Sequence, residues 1–125
     1  MIRVTENSIE PNQIYDTLET SGGGSVLCHY AVVRGRTGDQ QTTSICFERA
    51  GDLEAELRDL EAGLKAQWAL DDVLLIRRLG VVGPGDIISL VAVCAPRSPD
   101  AFESCRRGIE QLKKMKAIRK KEHFA

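Results

Sequence analysis

The basic side chains of this chain crowd toward its C-terminus. From Arg106 to Lys121 there are eight Lys or Arg and a single acid, Glu110. Such a run is ordinarily a solvated face, and composition alone favours that reading here. Its placement argues for more. Phe102, Cys105, Ile109 and Leu112 recur at steps of three and four, which puts them on one stripe of a helix. The cations then gather at the helix C-terminus and run past it, where the unpaired carbonyls already favour positive charge. That is a seat for an anion. Arg suits bidentate holding of a phosphate or carboxylate, and Lys is a mobile point charge able to give up a proton.

Other chemistry is thinly represented. Cys28, Cys46, Cys94 and Cys105 stand far apart with no C-x-x-C pair, and His29 and His123 are the only histidines. No metal-ligand spacing appears. Three of the cysteines fall in strand-like runs and one on the helical stripe, so buried thiols are the expectation. His29 follows Cys28 directly and would point to the opposite face of a strand, which excludes a simple Cys–His pair. Gly22-Gly23-Gly24 precedes a strand rather than a helix and lacks the G-K-S/T ending of a phosphate loop.

The elements that must position these residues are legible in outline. Ile2 to Thr5 alternates as a short strand. Pro11 opens a helix with Ile14, Tyr15 and Leu18 inward, ended by the glycines. Ser25 to Arg34 and Gln41 to Arg49 read as strands, the second expected to pair antiparallel with the first across a polar loop. Leu53, Leu57, Leu60 and Leu64 mark a second helix, with Asp52, Glu54 and Glu56 at its start and Trp68 plugging its end. Val73 to Ile76 and Ile87 to Cys94 are continuous apolar runs, as expected of strands covered on both faces. Gly83-Pro84-Gly85-Asp86 supplies the turn between them. The last helix is expected from about Pro99 to Lys116, capped by Ser98. Paired strands interleaved with helices predict an α+β fold: one domain over 1–125, a mixed, mostly antiparallel sheet with three helices packed on it.

With 125 residues, 42% apolar and 28% charged, the chain has ordinary globular composition, and its net charge of −1 gives no whole-protein case for nucleic acid or membrane binding. No apolar run approaches the roughly 20 residues of a membrane helix, and the N-terminus lacks a signal-peptide pattern. A cytoplasmic location is expected.

The run A-F-E-x-C-R-x-x-I-x-x-L-K, Ala101 to Lys113, is followed seven residues later by Lys120-Lys121-Glu122. This pattern resembles the large, catalytic subunit of molybdopterin synthase. The likeness extends from about Ile2 to Glu122. The opening Ile2-Arg3-Val4-Thr5, the strand end Val33-Arg34, and the hairpin residues Leu79-Gly80 and Gly85-Asp86 all have counterparts in that family. The resemblance is that of a divergent member. Arg97-Ser98 stands where the family has His-Arg, Ala31 where it has Gly, Ala50 where Tyr is usual, and Ala117-Ile118-Arg119 where it has Pro-Ile-Trp. The chain runs three residues past Glu122, so the family's C-terminal tail is expected to be short.

The resemblance implies sulfur transfer in molybdenum cofactor biosynthesis. The donor would be the C-terminal Gly-Gly thiocarboxylate of a small ubiquitin-like sulfur-carrier subunit, and the acceptor cyclic pyranopterin monophosphate. It implies a homodimer, and a heterotetramer with the carrier. It assigns Lys113 and Lys120 to catalysis and Arg34, Arg97, Ser98, Lys121 and Glu122 to substrate binding, with no metal and no cofactor. Arg34, Arg97, Lys113 and Lys120 are then expected to converge in one cleft, brought together by a bend near Ala117. The alternative is a binding module of the same fold that docks a ubiquitin-like tail or a phosphorylated small molecule without turnover. Nucleic-acid binding is weaker, because no aromatic residues are interleaved with the basic run.

Overall fold

Continuous apolar runs make poor surface strands and good central ones, and the two such runs of this chain lie side by side. The computed structural model describes residues 1–125. In chain order the elements are β1 (Ile2–Thr5), α1 (Ile14–Thr17, led in by a 3-10 turn at Pro11–Gln13), β2 (Ser25–Val32), β3 (Arg36–Thr37), β4 (Gln40–Arg49) and α2 (Leu53–Gln67). They continue with β5 (Asp72–Arg78), β6 (Gly80–Val82), β7 (Ile87–Ala95), α3 (Ser98–Leu112) and β8 (Ile118–Phe124).

The main sheet has the order β1-β5-β7-β2, with β1 parallel to β5 and the other pairings antiparallel. Its two central strands are sealed on both sides, as the continuous runs predict: Val73, Leu74, Leu75 and Ile76 are all buried. Period-two alternation then sorts their side chains. Val73, Leu75, Val91 and Val93 join the larger core beneath α2 and α3, whereas Leu74, Ile76, Leu90 and Ala92 meet Ile9, Ile14 and Leu18 on the opposite face.

The long helices attach through small as well as large residues. Asp52 caps α2 by accepting a hydrogen bond from the Ala55 amide at 3.0 Å, which satisfies one of the open N–H groups of the first turn. Leu53, Leu57 and Leu64 are fully buried beneath it, each contributing about 1.5–3 kcal/mol. On α3 the buried residues are Ala101, Ser104, Cys105, Gly108 and Leu112. A Cβ on Gly108 would sit 2.9 Å from Val91 Cγ1, so this glycine lets the helix lie close against β7.

Several expectations are corrected here. Phe102 is 61% exposed, because close approach at Ser104 and Gly108 rotates the buried stripe away from it; Cys105 and Leu112 are buried and Ile109 is half-buried. The helix ends at Leu112 rather than Lys116. Ser98 does not cap it; its hydroxyl lies 2.7 Å from that of Ser25, and the capping position belongs to Arg97. The N-terminal helix is a single turn with Tyr15 outside. Of the four cysteines, Cys94 and Cys105 are buried, Cys46 is half-buried and Cys28 is exposed.

β4 does not pair with β2. It forms a hairpin with the two-residue β3 and is flanked by β6 and β8, building a second small sheet. The C-terminal stretch therefore has a ladder partner along its length. Gly80, at φ +95°, turns the chain from the main sheet into the second, a conformation that L-residues other than glycine rarely adopt. No helix is long and apolar enough to cross a membrane.

Candidate active site

Where the two sheets meet below the C-terminal end of α3, they enclose a cavity of about 400 Å³, within the usual range of small-molecule sites. Its inner wall is apolar, built from Val33, Ile45, Phe47, Val91 and Leu112. Its charged lining is four cations, Arg34, Arg77, Lys113 and Lys120, and one acid, Glu122.

Each cation is placed by a different local device. Lys113 is the residue that ends α3, its amide donating to Ile109 O at 3.2 Å. The chain then turns back, and that turn is tied from outside. The Glu56 carboxylate on α2 accepts from the amides of Lys116 and Ala117, each at 2.9 Å. The Ala50 amide donates to Ala117 O at 2.7 Å. This is the bend expected near Ala117, and it launches β8 antiparallel along β4. Lys120 then lies opposite Phe47 and Glu122 opposite Ile45, so both face the cavity that those two residues line. Arg34 sits just past β2, where Val33 is bonded in both directions to the turn, donating to Asp86 O at 2.9 Å and accepting from the Gly85 amide at 3.0 Å.

Glu122 is held as a carboxylate. One oxygen accepts from the hydroxyls of Thr37 and Thr42, both at 2.6 Å, and the other lies 3.6 Å from Lys120 Nζ. The Thr37 and Thr42 bonds, with the Lys120 charge behind them, pull its pKa below the ordinary carboxylate range. It orients Lys120 and fixes β3 to β8 at the cavity edge.

Three expected site residues lie elsewhere. Lys121 follows Lys120 in a strand, so alternation sends it to the opposite face, across from Cys46. Arg97 and Ser98 begin α3, whereas Lys113 ends it. Fifteen helical residues separate the two ends by about 22 Å, and neither Arg97 nor Ser98 lines the cavity of its own chain. The four-residue convergence is therefore corrected to Arg34, Lys113 and Lys120, with Glu122.

Arg77 went unnoticed in the sequence. It is 8% exposed, with its guanidinium 4.4 Å from the centre of the Phe47 ring. Nη1 donates to Ile88 O at 3.1 Å, while Nε is buried without a partner. Burial pushes its pKa down to about 10, which leaves it charged at neutral pH. The available signal was alternation: Val73, Leu75 and Arg77 share one strand face, so an Arg was being carried into the core side of the sheet.

An apolar cavity with several cations at its wall, and a lysine at a helix end, suits an anionic substrate whose charge grows during reaction. The family described as MoaE protein matches residues 4–115 of the chain. The chain belongs to the MoaE family. It is 36% identical over 73 residues to the molybdopterin synthase catalytic subunit of Caulobacter vibrioides, a match spanning 58% of this chain and 49% of that protein. It is 27% identical over 123 residues to the protein of the same name from Nostoc sp., covering 97% of this chain and 74% of that one. The crystal structure of molybdopterin synthase from Staphylococcus aureus superposes with a TM-score of 0.89 at 24% identity, over 98% of this chain and 90% of that chain. The α+β fold expected from the interleaved strands and helices is thereby the fold of a molybdopterin synthase structure.

Proposed function

We propose that the chain is the catalytic subunit of a molybdopterin synthase and that the cavity beneath α3 is where sulfur is transferred. The observation that carries the reading is the meeting of Arg34, Lys113 and Lys120 at one cavity, from three separate parts of a chain that belongs to the MoaE family. Sulfur would pass from the C-terminal thiocarboxylate of a small ubiquitin-like carrier subunit to cyclic pyranopterin monophosphate. Both reactants are anions, and fixed cations in a partly dry cavity stabilise charge that builds up on the transferring group. Lys113 and Lys120 stand nearest the chemistry; Arg34, exposed at the mouth, meets an incoming anion. Glu122 acts on Lys120 rather than on substrate.

The chain would work as a homodimer with one carrier bound to each copy. Arg97 is too far along α3 to serve its own cavity, so any hold it has on substrate would be on that of a second copy. The four free cysteines suit a reducing cytoplasm.

Reconstitution tests this directly. The purified protein, a thiocarboxylated carrier and cyclic pyranopterin monophosphate should yield molybdopterin. Carrier binding without product would overturn the enzymatic reading in favour of a binding module.

A further inference from the structure

We propose that Arg77 is an oxyanion-binding residue at the floor of the cavity, which anchors the phosphate of the small substrate while Lys113 and Lys120 act at the reacting end. The proposal rests on the sulfur-transfer reading for the identity of that substrate, but not for the anion site itself.

The first support is the company Arg77 keeps. No carboxylate lies within ion-pairing distance of it. One of its nitrogens donates to a main-chain carbonyl, Nε is orphaned, and Nη2 makes no hydrogen bond. A buried ion without a counter-ion is among the costliest features a core can hold, and an apolar side chain of similar volume commonly does better in its place. Phe47 eases the charge through its ring face but does not neutralise it. An oxyanion bound here would neutralise it.

The second support is position. Arg77 is more than nine-tenths buried and lines the cavity, whereas Arg34, Lys113 and Lys120 are exposed around it. Ser89, the residue opposite Arg77 in the β5–β7 ladder, lines the same cavity. Nη2, unlike the sealed Nε, is neither bonded within the chain nor closed off, so it can donate to a phosphate oxygen from a fixed guanidinium charge. With its pKa near 10, Arg77 serves as fixed charge rather than as a proton carrier. An anchor at the floor and mobile lysines at the rim would hold the substrate in one direction.

The test compares the wild-type chain with Arg77→Met and Arg77→Lys. Thermal unfolding is followed with inorganic phosphate against chloride at matched ionic strength, since the rim cations respond to salt alone. Phosphate should raise the wild-type Tm. The rise should be absent in Arg77→Met and partial in Arg77→Lys, while Arg77→Met without phosphate melts no lower than wild type. In the reconstituted reaction, Arg77→Met should raise KM for the pyranopterin about tenfold or more with kcat within about threefold, the pattern of lost ground-state binding.

A phosphate-dependent rise of equal size in Arg77→Met, or none in the wild type, would overturn the proposal. So would a lower Tm with unchanged KM, which marks a structural arginine. A peptide ending in Gly-Gly serves as the second anion source; weakened peptide binding with intact phosphate binding would also refute the assignment. If Arg77→Met does not fold, Arg77→Lys decides through the same two readings. If the wild type makes no molybdopterin, the sulfur-transfer reading fails, and the anion site is judged by the phosphate measurement alone.

Discussion

At its C-terminal end α3 runs into a turn tied down by Glu56 and Ala50, and every bond there aims Lys113 and Lys120 at one cavity. At its N-terminal end the helix starts from the exposed Arg97 and Ser98, held to the body of the protein by one exposed hydroxyl contact with Ser25. The family's two lysines persist at the first end, although Ala50 and Ala117-Ile118-Arg119 beside them depart from its pattern, and Arg97-Ser98 departs from it at the second. Position along one helix thus separates a constrained, cation-lined site from an exposed and lightly tethered start. Nearness in a sequence motif is not nearness in space when a 15-residue helix lies between.

The largest effect should come from removing charge at the constrained end. Lys113→Ala is expected to cost about a hundredfold in molybdopterin formation, on the order of 3 kcal/mol of transition-state stabilisation. Next comes the tie itself. Glu56→Ala strands two amide donors that now bond to a carboxylate, which should lower unfolding stability by about 2 kcal/mol in urea denaturation and slow turnover by loosening the turn.

Glu122 sharpens the comparison through pH. Its folded-state pKa lies below the unfolded value of about 4.3, so the stability it adds is present above that value and is lost as pH falls through the folded pKa. Glu122→Gln should therefore flatten the acid limb of a Tm-against-pH series and leave the neutral limb's slope unchanged. The smallest effect is expected at the other end: Ser98→Ala should change stability by less than about 0.5 kcal/mol and leave the rate unaltered. A loss at Ser98 comparable to that at Glu56 would erase the distinction between the two ends.

The legible and illegible parts of this molecule differ for physical reasons. Lys113, Lys120, Arg34 and Glu122 were marked by a spaced motif, and the central strands by apolar runs too long for a surface. Phe102 misled because a glycine and a serine, invisible to an apolar count, decided which face of α3 meets β7. Lys121 misled because a basic tail gives no hint that it will pair with β4 and so acquire a strand's alternation. The β4 pairing was hidden by the short β3 hairpin, which occupies the loop that would otherwise have joined β4 to β2. Arg77 escaped because a charge after an apolar run looks like an exit from the core, whereas here the strand carries it inside.

The most direct measurement is a paired one in the reconstituted sulfur-transfer reaction. Lys113→Ala and Lys116→Ala remove the same charge from positions three residues apart on the same basic stretch. Only Lys113 lines the cavity beside Arg34 and Lys120; Lys116 is exposed and reaches Glu56 through its backbone amide alone. Molybdopterin formation should fall about a hundredfold for the first and stay within about twofold of wild type for the second. Equal losses would mean that the basic stretch acts through bulk charge, and would contradict a site built at the end of α3.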